Sequence, residues 1–309
     1  MNITTKSPET QDFLTKPTSK KISNLFLSEI YNLLNYPMKF LALKKCATYL
    51  QFARNIETDE RRLIWGNYCQ KRLCPVCMQR LSMKRFANLS AVTSVGAADH
   101  KLEYLFLTLT AKTVPGSELK AEIKKYFDAW RNLTRYSPEF KKSVHGWFRS
   151  LEVTYNQDTD EYHPHLHILI AVKSTYFKPN YYINQKKWAE IWAHYLNIDY
   201  SPIVDIRKTY TKKTDSSAEQ EAAKYTIKED NYIKKYSKNL TKKIVEVLDY
   251  SLKRVRLIAY GGVLKTIHNQ LKLDDDSLDL EGEISPEISE IIENYRWKFG
   301  FDSYKLSEE

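Results

Sequence analysis

Three histidines, His163, His165 and His167, alternate with other residues in the run His163-Pro-His-Leu-His-Ile-Leu-Ile170. Side chains of an extended strand point to alternate faces, so the three rings share one face while Leu166, Ile168 and Ile170 share the other. Core packing gives no reason to line up three polar rings, and imidazole is a common metal ligand. The run therefore reads as a metal site, against the alternative of a polar strand surface turned to water. The preceding strand offers a carboxylate. The turn-forming run Asn156 to Glu161 is centred between Asp158 and Thr159, so a symmetric hairpin pairs residues whose numbers sum to 317 and sets Glu152 opposite His165. Directly paired residues hold their Cβ atoms about 5 Å apart. Glu152, His165 and His167 are thus the candidate metal ligands, with His163 as a further ligand or supporting group. Two imidazoles and a carboxylate with open positions suit Mn²⁺ or Mg²⁺ acting on a phosphate, and Zn²⁺ is equally allowed by ligand type.

Downstream, the segment Glu221-Ala-Ala-Lys-Tyr225-Thr-Ile-Lys228 reads as part of a helix and puts Glu221 and Tyr225 on one face. A phenol with a pKa of about 10 attacks phosphorus at neutral pH only beside a cation, a base or a polarised phosphate. Among 22 tyrosines such a pair is by itself more often a surface residue and a core residue. Lys228, like Lys224, is either a stabiliser of phosphate charge or a solvated lysine. Cys46, Cys69, Cys74 and Cys77 follow the pattern C-x22-C-x4-C-x2-C, whose closing CPVC knuckle is zinc-like. Four thiolates would close a structural zinc site, and plain buried cysteines are the alternative.

These groups need elements to position them. Apolar periodicity predicts strands over Leu102–Ala111, Gly146–Tyr155, His163–Val172 and Ile203–Arg207, and helices over Ser117–Leu133 and Lys186–Leu196. The order βαββαβ is the split βαβ, ferredoxin-like arrangement: an antiparallel sheet with helices on one face and the other face free to hold a site. A last helix over Ser217–Asn231 carries the tyrosine. Residues 1–24 read as a flexible arm and Leu25 to Leu50 as one or two helices broken near Pro37. Ser82–Val95 reads as helical, as does Thr241–Leu271 around a Gly261-Gly262 turn.

Charge separates a body from a tail. The 309-residue chain has a net charge of +10, yet residues 271–309 hold 12 acids against 4 bases, which leaves 44 bases against 26 acids before them. Nucleic acid is the default partner of such a body, with an anionic membrane surface or plain solubility as alternatives. No 18-residue apolar run or signal-peptide core is present, so a cytoplasmic protein without a membrane partner is expected. Arg72, Arg80, Lys84 and Arg85 beside the cysteines could track a DNA backbone, with Trp65 and Tyr68 available to stack on an unpaired base. Arg207 and Lys208, with Lys212 and Lys213, lead into the tyrosine helix and are the stronger candidates for holding the cut strand.

Taken in order, the strand Phe106-Leu-Thr-Leu-Thr110, the run His163–Ile170 and Ala223-Lys-Tyr225-Thr-Ile-Lys228 resemble the three motifs of rolling-circle plasmid replication initiators, which are HUH endonucleases of the single-tyrosine type. Supporting matches are Cys69-x4-Cys74-Pro-Val-Cys77, Val204-Asp-Ile-Arg207 and Leu257-Ile-Ala-Tyr-Gly-Gly-Val263, so the similarity spans roughly residues 41 to 276. The resemblance implies that His165, His167 and Glu152 hold a divalent metal, and that Tyr225 nicks one origin strand and stays joined to the 5′ phosphate. It further implies that the free 3′ hydroxyl primes a host polymerase and that Glu221 activates water in the terminating cleavage.

The expected fold class is α+β: an antiparallel palm sheet of ferredoxin-like βαββαβ order plus a catalytic helix, preceded by a small Cys-containing module. The expected domains are an N-terminal arm and helix (1–40), a zinc-binding Cys module (41–98), a nuclease domain with a helical extension (99–271) and an acidic tail (272–309). Partners would be origin DNA, single-stranded at the nick, with a host helicase and polymerase, and the protein could be a homodimer. A conjugative relaxase or single-strand transposase, and a non-catalytic, metal-stabilised DNA-binding repressor, are the alternative functions.

Overall fold

The computed structural model describes residues 12–209, 232–233, 236–276, 278 and 290–307. In chain order the elements are α1 (Asp12–Leu33), α2 (Pro37–Lys45), β1 (Tyr49–Asn55), β2 (Arg61–Gly66), α3 (Pro75–His100), β3 (Glu103–Leu109), β4 (Val114–Pro115), α4 (Leu119–Tyr136), α5 (Pro138–Ser143), β5 (Gly146–Asn156) and β6 (Glu161–Val172). They continue with α6 (Gln185–Leu196), β7 (Val204–Lys208), α7 (Lys238–Ser251), β8 (Ile258–Gly261), α8 (Gly262–Gln270), β9 (Glu290–Lys298) and β10 (Ser303–Leu306). Two compact units form: Met1–Leu81 with Ile233–Val245 and Asp276–Glu309, and Ser82–Tyr232 with Glu246–Asp275.

The first unit is built on a four-stranded antiparallel sheet in the order β10-β9-β1-β2. Two expectations are corrected here. The arm expected over residues 1–24 is helical from Asp12 onward, because Lys21 and Asn24 continue the buried helical face of Leu27 and Ile30, while Phe13 sets its ring edge-on against Phe52 and Tyr295 at 5.1 and 5.6 Å. The acidic tail expected from 272 supplies β9 and β10. Its charged residues hid a period-two apolar pattern: Tyr295 and Trp297 alternate with exposed residues and are buried together with Tyr304.

The second unit holds the palm. Its sheet runs β7-β3-β6-β5-β8, with β4 pairing β6, and β3, α4, β5, β6, α6 and β7 follow the βαββαβ order in the strand sequence 4-1-3-2. The α+β palm read from the sequence is therefore present. Every β5–β6 pair, from Gly146↔Ala171 to Asn156↔Glu161, has the symmetric register, and Glu152 lies opposite His165. The loop earns that register locally: Asp158 N–H donates to Asn156 Oδ1 at 2.9 Å, Tyr155 donates its hydroxyl to Asp160 at 2.9 Å, and Asp160 takes a left-handed φ of 55°.

Helices α4 and α6 cover one face of the palm with Ile123, Tyr126, Trp130 and Leu133 and with Trp188 and Trp192, all buried. The opposite face, expected to be free, is half covered. Tyr104, Phe106, Phe148, Leu169 and Ala171 lie on it and need burial, and Leu89 and Val92 of α3 with Leu264 and Ile267 of α8 form their roof. The stretch expected to be helical over Thr241–Leu271 is helix, strand and helix. Its Gly261-Gly262 pair makes the switch from β8 to α8: Gly262 has a φ of +59°, and a Cβ there would stand 2.3 Å from the His145 carbonyl oxygen. Among the described residues, the end of this face that bears the histidines lies outside that roof. Phe148→Ala is expected to cost about 3–5 kcal/mol in denaturant unfolding; a loss under about 1 kcal/mol would mean that the roof is not packed as described.

Candidate functional site

The histidine face grades from core to surface along β6. His167 and Glu152 are buried, and His165 and His163 are half-exposed. His167 Nε2 donates to Glu152 Oε2 at 2.6 Å, and its Nδ1 accepts from the Thr108 hydroxyl at 3.3 Å, so both ring nitrogens are fixed and one tautomer is selected. Phe106 stacks on the same ring with centroids 5.6 Å apart. Three neighbouring strands therefore hold one imidazole, each from its register position.

His165 lies parallel to His167 at 6.0 Å between centroids, with its Nε2 3.4 Å from the Thr154 hydroxyl. His163 sets its ring against His165 with centroids 4.2 Å apart and bonds the Ala111 carbonyl through Nε2 at 2.9 Å. The structure thus joins Glu152 directly to His167 and sets His165 beside them on the same face. Tyr225, Glu221 and Lys228 lie outside the described residues.

Two residues on this face that the ligand reading did not use are Thr108 and Asp205. They are paired across β3 and β7, next to the Phe106↔Arg207 pair. Alternation along β7 carries Arg207 onto the histidine face, where it bonds Asp205 at 2.7 Å and lies 5.8 Å from the Phe106 ring centroid. The same alternation turns Lys208 to the other face, where it pairs with Glu103 at 2.6 Å. That placement separates the two cations that had been read as one set.

The basic run near the cysteines is corrected in a similar way. Arg80 and Arg85 are only 7% and 8% exposed. Arg80 donates to the Leu278 and Ile64 carbonyls at 2.7 and 3.2 Å, and Arg85 to the Asp275 carbonyl at 3.3 Å. Lys84 reaches Asp274 at 3.5 Å with most of its side chain covered, and Arg72 is half-buried. Their charge is absorbed by carbonyls and acids of the chain itself, so only part of this run is available to a phosphate backbone.

The four cysteines converge. Their sulfurs all lie within 4.8 Å of one another, with Cys46–Cys74, Cys46–Cys77 and Cys69–Cys77 each at 3.6 Å. These separations are far too long for a disulfide and close to the edge of about 3.8 Å of a tetrahedron whose metal–sulfur bonds are about 2.3 Å. Cys69 gives up its proton most readily because the other three thiols bond to its sulfur, while burial holds the Cys74 thiol up. Cys74 and Cys77 flank the start of α3. The set can hold a metal ion.

Sequence reading missed what surrounds this set. Lys21 is completely buried and donates to the Cys46 and Lys44 carbonyls at 2.5 and 2.9 Å. Burial lowers its pKa to about 8, although the Cys46, Cys74 and Cys69 sulfurs pull it up. Asn24 accepts from the Cys74 thiol at 3.1 Å and donates to the Leu43 carbonyl at 2.6 Å. Both residues sit on α1, three apart, and a helix placed where an arm was expected is the signal that would have found them.

Comparison with known proteins gives the class. Residues 60–305 match the family model described as "Replication protein", and the chain belongs to that family. The chain is 37% identical over 258 residues to "Protein rep" of Bacillus amyloliquefaciens, covering 78% of this chain and 75% of the relative. It is 37% identical over 261 residues to "Protein rep" of Streptococcus pneumoniae serotype 2 strain D39 (83% and 79%), and 33% over 296 residues to that of Lentilactobacillus hilgardii (92% and 93%). No solved structure matches the chain. The resemblance to plasmid replication initiators is thereby borne out. Among the described residues no helix is long and apolar enough to cross a membrane.

Protein prepared with zinc present is expected to carry one tightly held metal equivalent, measured by mass spectrometry of metals or by dye release. Cys77→Ala should lose it and lower the unfolding temperature, and metal-free parent protein of undiminished stability would exclude a structural metal.

Proposed function

We propose that this replication protein starts rolling-circle plasmid replication by nicking one strand at the origin through a covalent tyrosine intermediate. The carrying observation is the Glu152–His167 bond, set by the β5–β6 register beside His165 on the palm face that the apolar roof leaves bare. One carboxylate and two imidazoles on one face are the donor types a divalent cation such as Mn²⁺ or Mg²⁺ takes, and such an ion, when bound, would polarise the scissile phosphate.

The chain's own groups supply the rest. Tyr225 loses its phenolic proton and attacks phosphorus; a new phosphotyrosine bond forms, the bond to the 3′ oxygen breaks, and that oxygen leaves as the primer hydroxyl after taking up a proton. Arg207 stands on the same face as the histidines and would hold a phosphate of the nicked strand. With a cation bound, Thr108 would accept from His167 Nδ1–H and so leave the Nε2 lone pair for the metal. Glu221, one helical turn before Tyr225, takes a proton from water in the terminating cleavage, so hydrolysis ends the cycle where a second tyrosine would only exchange strands. The cysteine set, with zinc, would stabilise the first unit, and host helicase and polymerase would follow at the opened origin.

The test incubates the protein and Mn²⁺ or Mg²⁺ with end-labelled single strands tiled over its replicon and separates products on a denaturing gel. Label should migrate with protein, disappear in Tyr225→Phe, and form at least about 100-fold more slowly in His167→Ala and Glu152→Ala, a loss of several kcal/mol of barrier lowering. Glu221→Ala should still form the adduct and fail to release it. No adduct on any strand, with duplex binding intact, would instead favour a non-catalytic DNA-binding repressor; adducts only at transfer or transposon ends would favour a relaxase or transposase.

A further inference from the structure

The sheet of the first unit is covered on one face by apolar side chains and α1, and its other face carries a different set. Register places Trp65 of β2 opposite Gln51, Arg296 of β9 opposite Tyr49, and Lys305 of β10 opposite Arg296. Alternation along β9 adds Lys298 to this face. Trp65 is 42% exposed and meets Tyr49 edge-on at 5.7 Å, and the Arg296 guanidinium lies 5.8 Å from the Tyr49 centroid. Between them, the Gln51 side-chain amide N–H donates to Asn294 Oδ1 at 3.1 Å.

Basic charge collects on this face. Residues 271–309 contain only 4 bases among 12 acids, and three of those bases, Arg296, Lys298 and Lys305, stand exposed on this one face. Of the two acids of β9, Glu293 turns to the other face, where Arg54 and Arg61 bind it at 3.1 and 2.8 Å, and Glu290, on this face at the strand end opposite Asn55, is paired with Arg62 at 3.4 Å.

We propose that this face binds single-stranded DNA, as a contact separate from the histidine face. An unpaired base stacks on Trp65 and the adjoining phosphates lie along Arg296, Lys298 and Lys305, with the Gln51 and Asn294 amides within reach of base edges. Aromatic rings on an open sheet select single strands, because a duplex keeps the faces of its bases stacked on one another. Binding needs neither Tyr225 nor a metal, so this inference and the nicking reading fail separately.

The test uses full-length Tyr225→Phe protein in chelator, where no cleavage occurs, and follows the anisotropy of a labelled single strand of about 12 nucleotides at several salt concentrations. Trp65→Ala should weaken binding roughly tenfold or more and Trp65→Phe should keep most of it. Arg296→Ala with Lys305→Ala should flatten the slope of log affinity against log salt by about 1.4, near 0.7 for each cation. Unchanged circular dichroism and thermal unfolding would certify the variants. Affinity unaffected by Trp65→Ala, or an equally tight duplex equally weakened by it, would overturn the proposal. Should Trp65→Ala not fold, photocrosslinking of a bromodeoxyuridine strand to the Trp65-containing protein decides: a crosslinked peptide holding Tyr49 or Trp65 supports the face, and crosslinks confined to the second unit reject it.

Discussion

The antiparallel pairing of β5 with β6 is the constraint on which the candidate site depends. A strand slipped by one residue moves every side chain to the opposite face, so a one-residue change in the four-residue turn would push the three histidines into the layer under α4 and α6 and bring Leu166 and Ile168 out. The apolar side chains hold the register as firmly as the turn does. Leu166, Ile168 and Ile170 are fully buried on one side, and Leu169 and Ala171 are fully buried on the other. The Glu152–His167 bond is a product of this pairing, because its two residues are diagonal neighbours across one hairpin.

Burial on both sides also explains why the site occupies one end of the sheet. Aromatic and aliphatic residues at the β3, β5 and β6 positions under α3 and α8 exclude water there, and the polar residues begin where that roof stops. His167 lies at the boundary, stacked on Phe106 and bonded to Thr108 and Glu152. A group in such a position is held rigidly from three strands and is still next to a surface that substrate can approach.

Much of this was legible in the sequence, for identifiable reasons. The βαββαβ order follows from apolar periodicity, and the Glu152–His165 pairing from a turn whose centre could be counted. The roof was not legible, because its residues Leu89, Val92, Leu264 and Ile267 come from segments far apart in the chain and nothing local says which sheet they meet. Composition misled at both ends. Lysine and threonine concealed the first turns of α1, where Lys21 and Asn24 are fully buried, and acids concealed Tyr295, Trp297 and Tyr304. Arg80 and Arg85 looked like a surface run since charge alone does not reveal that backbone carbonyls elsewhere will absorb it.

The central strand β1 of the first sheet pairs on one side with β2, a few residues on, and on the other with β9, more than two hundred residues later, while Tyr304 donates to the Ala47 carbonyl across 257 residues. All strands of the palm are made before β9 leaves the ribosome. During synthesis the palm-bearing unit can therefore close on itself while the cysteine-bearing unit still waits for its last strands, with the β1 edge exposed. Loop closure over that distance is slow, and an open edge invites other strands. The order of translation thus makes the cysteine-bearing unit the last to mature and the one most exposed to misassembly.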